Sequence, residues 1–189
     1  MKLAAYIIIL FSFILLQSCA TTDLGGDAEK KAIAKKTLKE VPKWFENPPK
    51  SKKILYATGT AVSEDMEGSR MKATILAKRN LADKLDSYIS SKTKIFLKEV
   101  GAGELSDIYT EMEQVTIDTI KEAHIIGFDI YKKKTIEIGS KYRTYAVVEF
   151  LYGKANKILI SQIKSNDLLE GSVSASKAFQ DLEKEIQGN

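Results

Sequence analysis

The alternation of small and large side chains is clearest in Ile54–Val62, which reads ILYATGTAV. Side chains of a strand point alternately to its two faces, and here one face narrows to small groups, at Leu55, Ala57, Gly59 and Ala61. The pattern predicts a strand. Glycine inside a strand often marks close approach of another backbone, so we expect a tightly packed neighbour against Gly59.

A helical pattern follows this strand. Ser63-Glu64-Asp65 predicts its start, since acidic residues are favourable at the positive N-terminal end of a helix, and the helix is expected to run to about Ser87. One stripe of the helix repeats every four residues, at Ala73, Ala77, Leu81 and Leu85. The two alanines make this stripe narrow, which predicts that the helix is the neighbour of Gly59.

The remaining pattern predicts a strand, a helix and a hairpin. Tyr88–Val100 alternates, as a half-buried strand does. Glu104–Ala123 has helical spacing, with one face formed by Leu105, Ile108, Met112, Val115, Thr119 and Ala123. Ile125–Ile138 and Tyr142–Tyr152 predict the hairpin, the second strand being apolar on both faces and therefore central. Lysines 132–134 interrupt the first strand and indicate either a bend or an exposed edge. The strand is expected to have one apolar face, formed by Ile126, Phe128, Ile130, Ile136 and Ile138.

The order β-α-β-α-β-β predicts an α+β fold, in which a mainly antiparallel sheet of about four strands has two helices packed on one face. Residues 42–152 form this domain, and residues 153–189 form a C-terminal helical extension. The extension begins with a helical stripe at Ala155, Leu159 and Ile163. The helical pattern is expected to break at Asn166 and Gly171. Ser174 is then expected to cap a last helix, which carries Phe179, Leu182 and Ile186 on one stripe. Its short helices either fold back on the domain or bind another subunit.

The N-terminal pattern predicts that the protein is targeted to a membrane. The apolar run Leu3–Leu16 is shorter than the about 20 residues that a spanning helix needs, and it has the length of a signal-peptide core. Leu16-Gln17-Ser18-Cys19 then resembles the lipobox of bacterial lipoprotein signal peptides. The resemblance implies cleavage between Ser18 and Cys19 and attachment of lipid, palmitate included, at Cys19. The alternatives are an ordinary signal peptide with an incidental cysteine and an uncleaved short anchor.

Residues 1–18 are thus expected to be the signal peptide, and residues 19–41 the lipidated cysteine and a tether. Ala20 stands where an aspartate would favour the inner membrane in well-studied lipoproteins, which implies the cell outer membrane. In the tether, Asp27 is expected to cap a helix that runs from Ala28 towards Val41. Its lysines either bind anionic headgroups or belong to a solvated arm that lifts the domain off the bilayer.

The proline-rich segment Pro42–Pro49 predicts an extended entry to the domain. Trp44 and Phe45 are expected to pack on the domain and fix its start, the alternative being a ligand-stacking role for Trp44. PKWF, YATGTA and ATILAKRNLADKL together resemble the LPP-twenty family, the twenty-kilodalton outer-membrane lipoproteins of Helicobacter type. The match covers residues 42–152, with one residue inserted in the element Ala77–Ala82.

The family resemblance implies a cell-envelope lipoprotein in the periplasm or at the outer membrane, and relatives include a flagellar ring protein. It supplies no catalytic residues. Composition agrees with this picture, since the chain of 189 residues has one cysteine, one histidine and a net charge of +4. A single cysteine excludes an internal disulfide and a CxxC pair, and the weak positive charge argues against nucleic acid as a partner.

Candidate chemistry is sparse. His124 is the only histidine, and its apolar surroundings in sequence predict a structural role. The acidic residues of the second predicted helix fall on its polar face and are expected to be solvated, namely Glu104, Asp107, Glu111, Glu113 and Asp118. We therefore expect no catalytic residue, no metal site and no cofactor.

Three functions remain to be compared. The favoured one is a non-catalytic outer-membrane lipoprotein that acts through its surfaces as a structural or assembly component. Its expected partners are outer-membrane lipid, through acylated Cys19, and either further copies of itself or other envelope proteins. The alternatives are an envelope binding module for peptide, glycan or lipid, and a flagellar ring-type subunit, while a hydrolase is the least favoured reading.

Overall fold

A computed structural model of the protein describes residues 24–103 and 106–187. By its contacts the chain divides into two units, Met1–Lys39 and Glu40–Asn189. The elements in chain order are helix α1 (Leu24–Glu40), helix α2 (Lys43–Glu46), strand β1 (Ile54–Ser63), helix α3 (Met66–Glu99), helix α4 (Asp107–Ile126), strand β2 (Asp129–Ile138), strand β3 (Lys141–Leu151), helix α5 (Tyr152–Lys164), helix α6 (Asp167–Val173) and helix α7 (Lys177–Gln187).

Helix α1 is longer at its N-terminal end than the sequence pattern predicts. Asp27 was expected to cap the helix, but it lies within the first turn and forms an exposed ion pair with Lys30 at 3.6 Å. The helix ends before Val41. Its side chains from residue 26 onwards are exposed or half-buried.

The sheet is antiparallel with strand order β1-β3-β2, and in the part of the chain that the structure describes it has three strands instead of about four. Strand β3 is central, as its apolar character on both faces predicts. Ile54 of β1 pairs with Leu151 of β3, and the register continues to Ser63 opposite Tyr142. The α+β class is confirmed, whereas the predicted order with four strands is wrong.

The close approach at Gly59 is confirmed. A Cβ atom placed on Gly59 would lie 2.5 Å from the carbonyl oxygen of Ala73 and 2.8 Å from the Cα atom of Ala77. The alanine stripe of α3 therefore rests directly on the backbone of β1. Leu55 and Ala57 share this buried face, while the opposite face of β1 is half-buried.

The predicted strand Tyr88–Val100 is wrong, because these residues continue helix α3. The buried stripe passes Leu85 and goes on through Ile89, Thr93 and Phe96 at spacings of four and three. After Gly68 in its first turn, the helix contains no glycine or proline before its end at Glu99. The apparent alternation came from lysines beside the stripe, and Ile95 is exposed.

Helix α3 joins two hydrophobic cores. Its first part packs with the inner face of the sheet, together with Ala123 of α4 and Ala155 and Ile158 of α5. Its end, at Phe96, belongs to a second core made by helices, with Met112, Val115, Leu159, Ile163, Leu169, Val173, Phe179 and Leu182. Two helices on one face of the sheet were expected, but α4 packs chiefly on α3 and α5, so that α3 is the helix that lies along the sheet.

The C-terminal helices fold back on the domain, since α5, α6 and α7 supply residues to the second core. Asn166 ends one helix and caps the next, its Oδ1 accepting from Leu169 N at 3.1 Å. Gly171 lies inside α6, so the predicted break there is wrong. The cap of α7 was expected at Ser174, yet it is Ser176 whose Oγ accepts a hydrogen bond from Phe179 N at 3.3 Å.

Strand β2 begins later than predicted, because residues up to Ile126 belong to α4. The predicted common face is also wrong. A register shift between Ile130 and Lys132 places Ile130 opposite Val148, on the face that α3 covers, and Ile136 opposite Arg143 on the other face. Lysines 132–134 do lie exposed on an edge strand, as expected.

The entry segment contains one helical turn, α2, where an extended chain was expected. Pro42 precedes this turn, a position at which its missing N–H group costs nothing. Phe45 contacts Tyr145 of β3 edge-to-face, with ring centroids 4.9 Å apart, and Trp44 in turn contacts Phe45 at 6.5 Å. The predicted packing of this segment on the domain is thus confirmed through Phe45.

Candidate functional site

The predicted lipidation and cleavage residues, Cys19 and Ser18, lie outside the described residues. Among the described residues, no helix combines the length and the apolar character needed to cross a bilayer. The candidate features lie in unit Glu40–Asn189 and are a side-chain pair, an acidic face, an apolar corner and concave surfaces.

The sequence context of His124 suggested apolar surroundings. In the structure the residue lies at the surface instead. Its Nε2 atom is 2.9 Å from Oδ1 of Asp86, which links α4 to α3, and the two side chains are 37% and 38% exposed. The ring also contacts Phe128 edge-to-face at 6.1 Å. Among the described side chains, the hydrogen-bond partner of this imidazole is a carboxylate and not a hydroxyl.

The acidic residues of α4 do not gather at one point. Glu111 accepts a hydrogen bond from Asn166 Nδ2 at 2.6 Å, and Asp118 accepts from Gln114 Nε2 at 2.8 Å, a bond that lowers the pKa of Asp118. Glu104 lies outside the described residues. Within the described part of the chain, no three histidine, cysteine or acidic side chains are placed to hold a metal ion together.

An apolar corner lies where α4 turns into β2. It consists of Ile125, Ile126, Ile130 and Tyr131, all exposed, and Ile125 is 85% exposed. Lysines 132–134 follow directly along the exposed edge strand. Exposed aliphatic groups of this size are unfavourable in water unless something covers them, so this corner is a candidate contact surface.

The outer edge of β1, by contrast, is closed. Asn80 Nδ2 donates to the carbonyl oxygen of Thr58 at 2.9 Å, and Lys84 Nζ donates to that of Tyr56 at 2.9 Å. Both donors come from α3. Because these carbonyls are already bonded, β1 is a poor template for an added strand.

A groove of about 650 Å³ runs between α3 and α4. Its lining includes the apolar residues Leu97, Met112, Ile117 and Ile120 and the charged residues Lys94, Lys98 and Glu113. The groove continues the second core to the surface. The buried polar residue of its lining, Thr93, donates its hydroxyl hydrogen to the carbonyl oxygen of Ser90 at 3.1 Å.

A smaller cavity, of about 280 Å³, lies at the N-terminal end of α5 and is called the α5 cavity below. Its lining comes from three segments that are far apart in sequence, at Lys53, Leu151–Lys154, Asn156, Lys157, Glu185 and Ile186. Asn156 is buried, and its Oδ1 accepts a hydrogen bond from the hydroxyl of Tyr88 at 2.8 Å. The ring of Tyr88 also lies against that of Tyr152, with centroids 4.4 Å apart.

The α5 cavity was missed by sequence reasoning. A partial signal was present, since Gly153 with Lys154 and Lys157 opens a helix directly after a strand. What the sequence lacked was the position of α7, which brings Glu185 and Ile186 to the same place. Comparison of the chain with models of protein families, with curated proteins and with solved structures finds no match.

Proposed function

We propose that this protein is a non-catalytic bacterial outer-membrane lipoprotein, a structural or assembly component of the cell envelope that is held by lipid on Cys19 and acts through its surfaces. The observation that carries the proposal is the motif Leu16-Gln17-Ser18-Cys19 directly after an apolar run. The chain's one cysteine stands at the position that the lipid-attachment chemistry requires. Two or three acyl chains then make the attachment lasting, because one chain binds only marginally.

The described residues support a role without catalysis. The one histidine pairs with Asp86 at the surface, and the acidic groups of α4 are each engaged with separate partners. A fold stabilised by two continuous cores supplies a rigid body for surface contacts. The apolar corner at Ile125, Ile126, Ile130 and Tyr131 is our candidate for such a contact.

Membership of the LPP-twenty family is part of the proposal. The resemblance rested on the Trp44 entry, the glycine of β1 and the alanine-rich helix. In the structure these positions form the contact between Phe45 and Tyr145 and the close packing of Ala73 and Ala77 against Gly59. The resembling residues thus carry packing, which supports a shared fold and gives no chemistry.

The lipid anchor is tested by metabolic labelling with palmitate in a bacterium that processes lipoproteins. We expect the wild type to be labelled and to fractionate with the outer membrane, and Cys19→Ser to be unlabelled. Ser18→Ala is the matched control, because it keeps a small residue before the cysteine and should still be labelled. Labelling of Cys19→Ser would overturn the proposed anchor.

The assembly role is tested by the mass of the chain from residue 20 to residue 189 in analytical ultracentrifugation. A high-order ring would support the flagellar ring-type alternative. A small oligomer that Ile125→Glu dissociates would support assembly through the apolar corner. A monomer that binds no envelope protein would count against assembly and favour the alternative of a binding module.

A further inference from the structure

We infer that the outward face of helix α3 binds a second copy of this chain, with the two copies of α3 antiparallel about a two-fold axis at the level of Ala73. This face is called the outer ridge below, and its members stand at every fourth residue, at Glu67, Met71, Ile75 and Arg79. The inference depends neither on lipid at Cys19 nor on the apolar corner.

The outer ridge lies on the side of α3 that faces away from the sheet. Ala73 and Ala77 rest on Gly59 of β1. Successive residues of a helix are turned by about 100°, so Met71 and Ile75, each two positions from Ala73, point to the opposite side. Their exposure agrees with this placement, since each of the two residues is 57% exposed.

The outer ridge is uncovered because α4 ends before reaching it. The two helices are antiparallel, since the start of α4 lines the groove together with the end of α3. Near the other end of α4, His124 Nε2 lies 2.9 Å from Asp86 Oδ1. The described end of α4 is therefore level with the middle of α3, beyond the turns that carry Met71 and Ile75. Neighbouring exposed apolar side chains of this size indicate a contact surface.

The outer ridge is complementary to itself. It begins with an acid, ends with a base and has two apolar residues between them. Residue 73 is the midpoint both of positions 67 and 79 and of positions 71 and 75. A two-fold axis at that level therefore places Glu67 of each copy opposite Arg79 of the other, and Met71 opposite Ile75. Because each contact of a two-fold dimer occurs twice, one ridge supplies two ion pairs and two apolar contacts.

The charged ends of the outer ridge can form these ion pairs. The side chain of Glu67 is 83% exposed, and its contact with Arg70 of the same helix is long, at 3.8 Å. A carboxylate accepts several hydrogen bonds, so Glu67 can keep Arg70 and bind a second guanidinium. Arg79 is exposed as well, and its planar group can bind a carboxylate through two hydrogen bonds.

The length of the outer ridge favours a weak dimer. From Glu67 to Arg79 the helix rises by about 18 Å, and so short a contact belongs to the low end of the range for specific interfaces. A helix of another protein would match both charged ends only if it carried a base and an acid at this same spacing. A second copy of the chain necessarily carries them.

The test measures the mass of the full chain by sedimentation equilibrium, in a detergent whose density the solvent matches, over protein concentrations up to the millimolar range. We expect the wild type to show an equilibrium between monomer and dimer. Ile75→Glu should weaken the dimer at least about tenfold, because it places a carboxylate in the apolar centre at two symmetric positions. Ile95→Glu is the matched control, since Ile95 is 47% exposed on the same helix outside the ridge, and it should associate as the wild type does.

Reversal of the charges is the sharper test. Glu67→Arg and Arg79→Glu should each associate at least about tenfold more weakly than the wild type, because like charges then face each other at both symmetric positions. An equal mixture of these two variants should form dimers again, since every base of one variant faces an acid of the other. This recovery also shows that both variants are folded. Failure of the mixture to associate would overturn the inference.

The remaining outcomes separate the outer ridge from other contacts. Ile125→Glu should leave this dimer intact. A dimer that Ile125→Glu dissociates and Ile75→Glu does not would assign the contact to the apolar corner and would overturn the inference. If the wild type has the mass of one chain at every concentration, the outer ridge binds a partner of another kind and the inference is wrong.

Discussion

At the scale of single residues, the packing of α3 on the sheet depends on a position without a side chain, Gly59, and on a buried side chain, Ser69. Gly59 allows the backbone of α3 to rest on β1. Ser69, one turn before Ala73 on the same helix face, is buried and donates to Thr144 Oγ1 of β3 at 2.8 Å. One close backbone contact and one buried hydrogen bond thus fix the helix along the sheet.

Gly59→Ala should be strongly destabilising. The added methyl group would overlap backbone atoms of Ala73 and Ala77, and backbone cannot turn aside as a flexible side chain can, so we expect a loss of about 3 kcal/mol or more in urea unfolding. Gly171→Ala is the control, since it lies in a helix with open space around it and should gain up to about 1 kcal/mol. Equal stability of the two variants would contradict the tight contact.

Tyr88 should contribute to the loss of stability in alkali. Burial raises its pKa from 10.0 to about 12. The unfolded chain therefore loses the phenolic proton first, so the stabilisation is complete below about pH 10 and disappears as the pH rises to about 12. In urea melts over this range, the free energy of unfolding should fall less steeply for Tyr88→Phe than for the wild type. Parallel curves for both proteins would argue against this assignment.

At the scale of elements, the sequence pattern correctly predicted the contact between two elements that are neighbours in the chain. The narrow face of β1 and the alanine stripe of α3 both follow from short-range spacing, and their contact could be predicted. The segment from Tyr88 to Glu99 was wrongly predicted to be a strand. Lysines 92, 94 and 98 alternate in sequence with other residues, although all of them belong to one helix. The stripe through Ile89, Thr93 and Phe96 was the better signal, since these are the residues that the second half of the helix buries.

The start of α7 separates two serines that look equivalent in sequence. Ser176 Oγ caps the helix by accepting from Phe179 N, so Ser176→Ala should cost about 1 kcal/mol. Ser174 Oγ is buried without a hydrogen-bond partner among the described residues, so Ser174→Ala should be neutral or stabilising. Chemical denaturation of the two variants checks this, and a larger loss for Ser174→Ala would restore the original assignment of the cap.

At the scale of the whole unit Glu40–Asn189, α3 runs through both cores and the C-terminal helices complete the second one. The apolar stripes of these helices predicted that each helix packs against something. They could not show whether the partner is the same chain or another subunit. The α5 cavity was beyond prediction for the same reason. Lys53, Gly153 and Ile186 meet only after the sheet and α7 have taken their places.

Phe179→Ala tests the fold-back in solution. Phe179 is fully buried and contacts Phe96 edge-to-face, with centroids 5.9 Å apart, so its loss should cost about 3–5 kcal/mol. The assembly mass should stay unchanged, because the contact lies within one chain. Leu168→Ala, at a partly exposed position of α6, should cost much less. A change of mass with little loss of stability would instead indicate a subunit contact.

The pairing of β1 with β3 has a consequence for the order in which the protein is made. β1 is synthesised first, but in the described part of the chain its one neighbour in the sheet is β3, which comes after both long helices. Until residue 151 has left the ribosome, β1 has no strand to pair with and the alanine stripe of α3 has no complete sheet beneath it. Since such distant pairing is slow, we expect the sheet to form only after β3 has been synthesised.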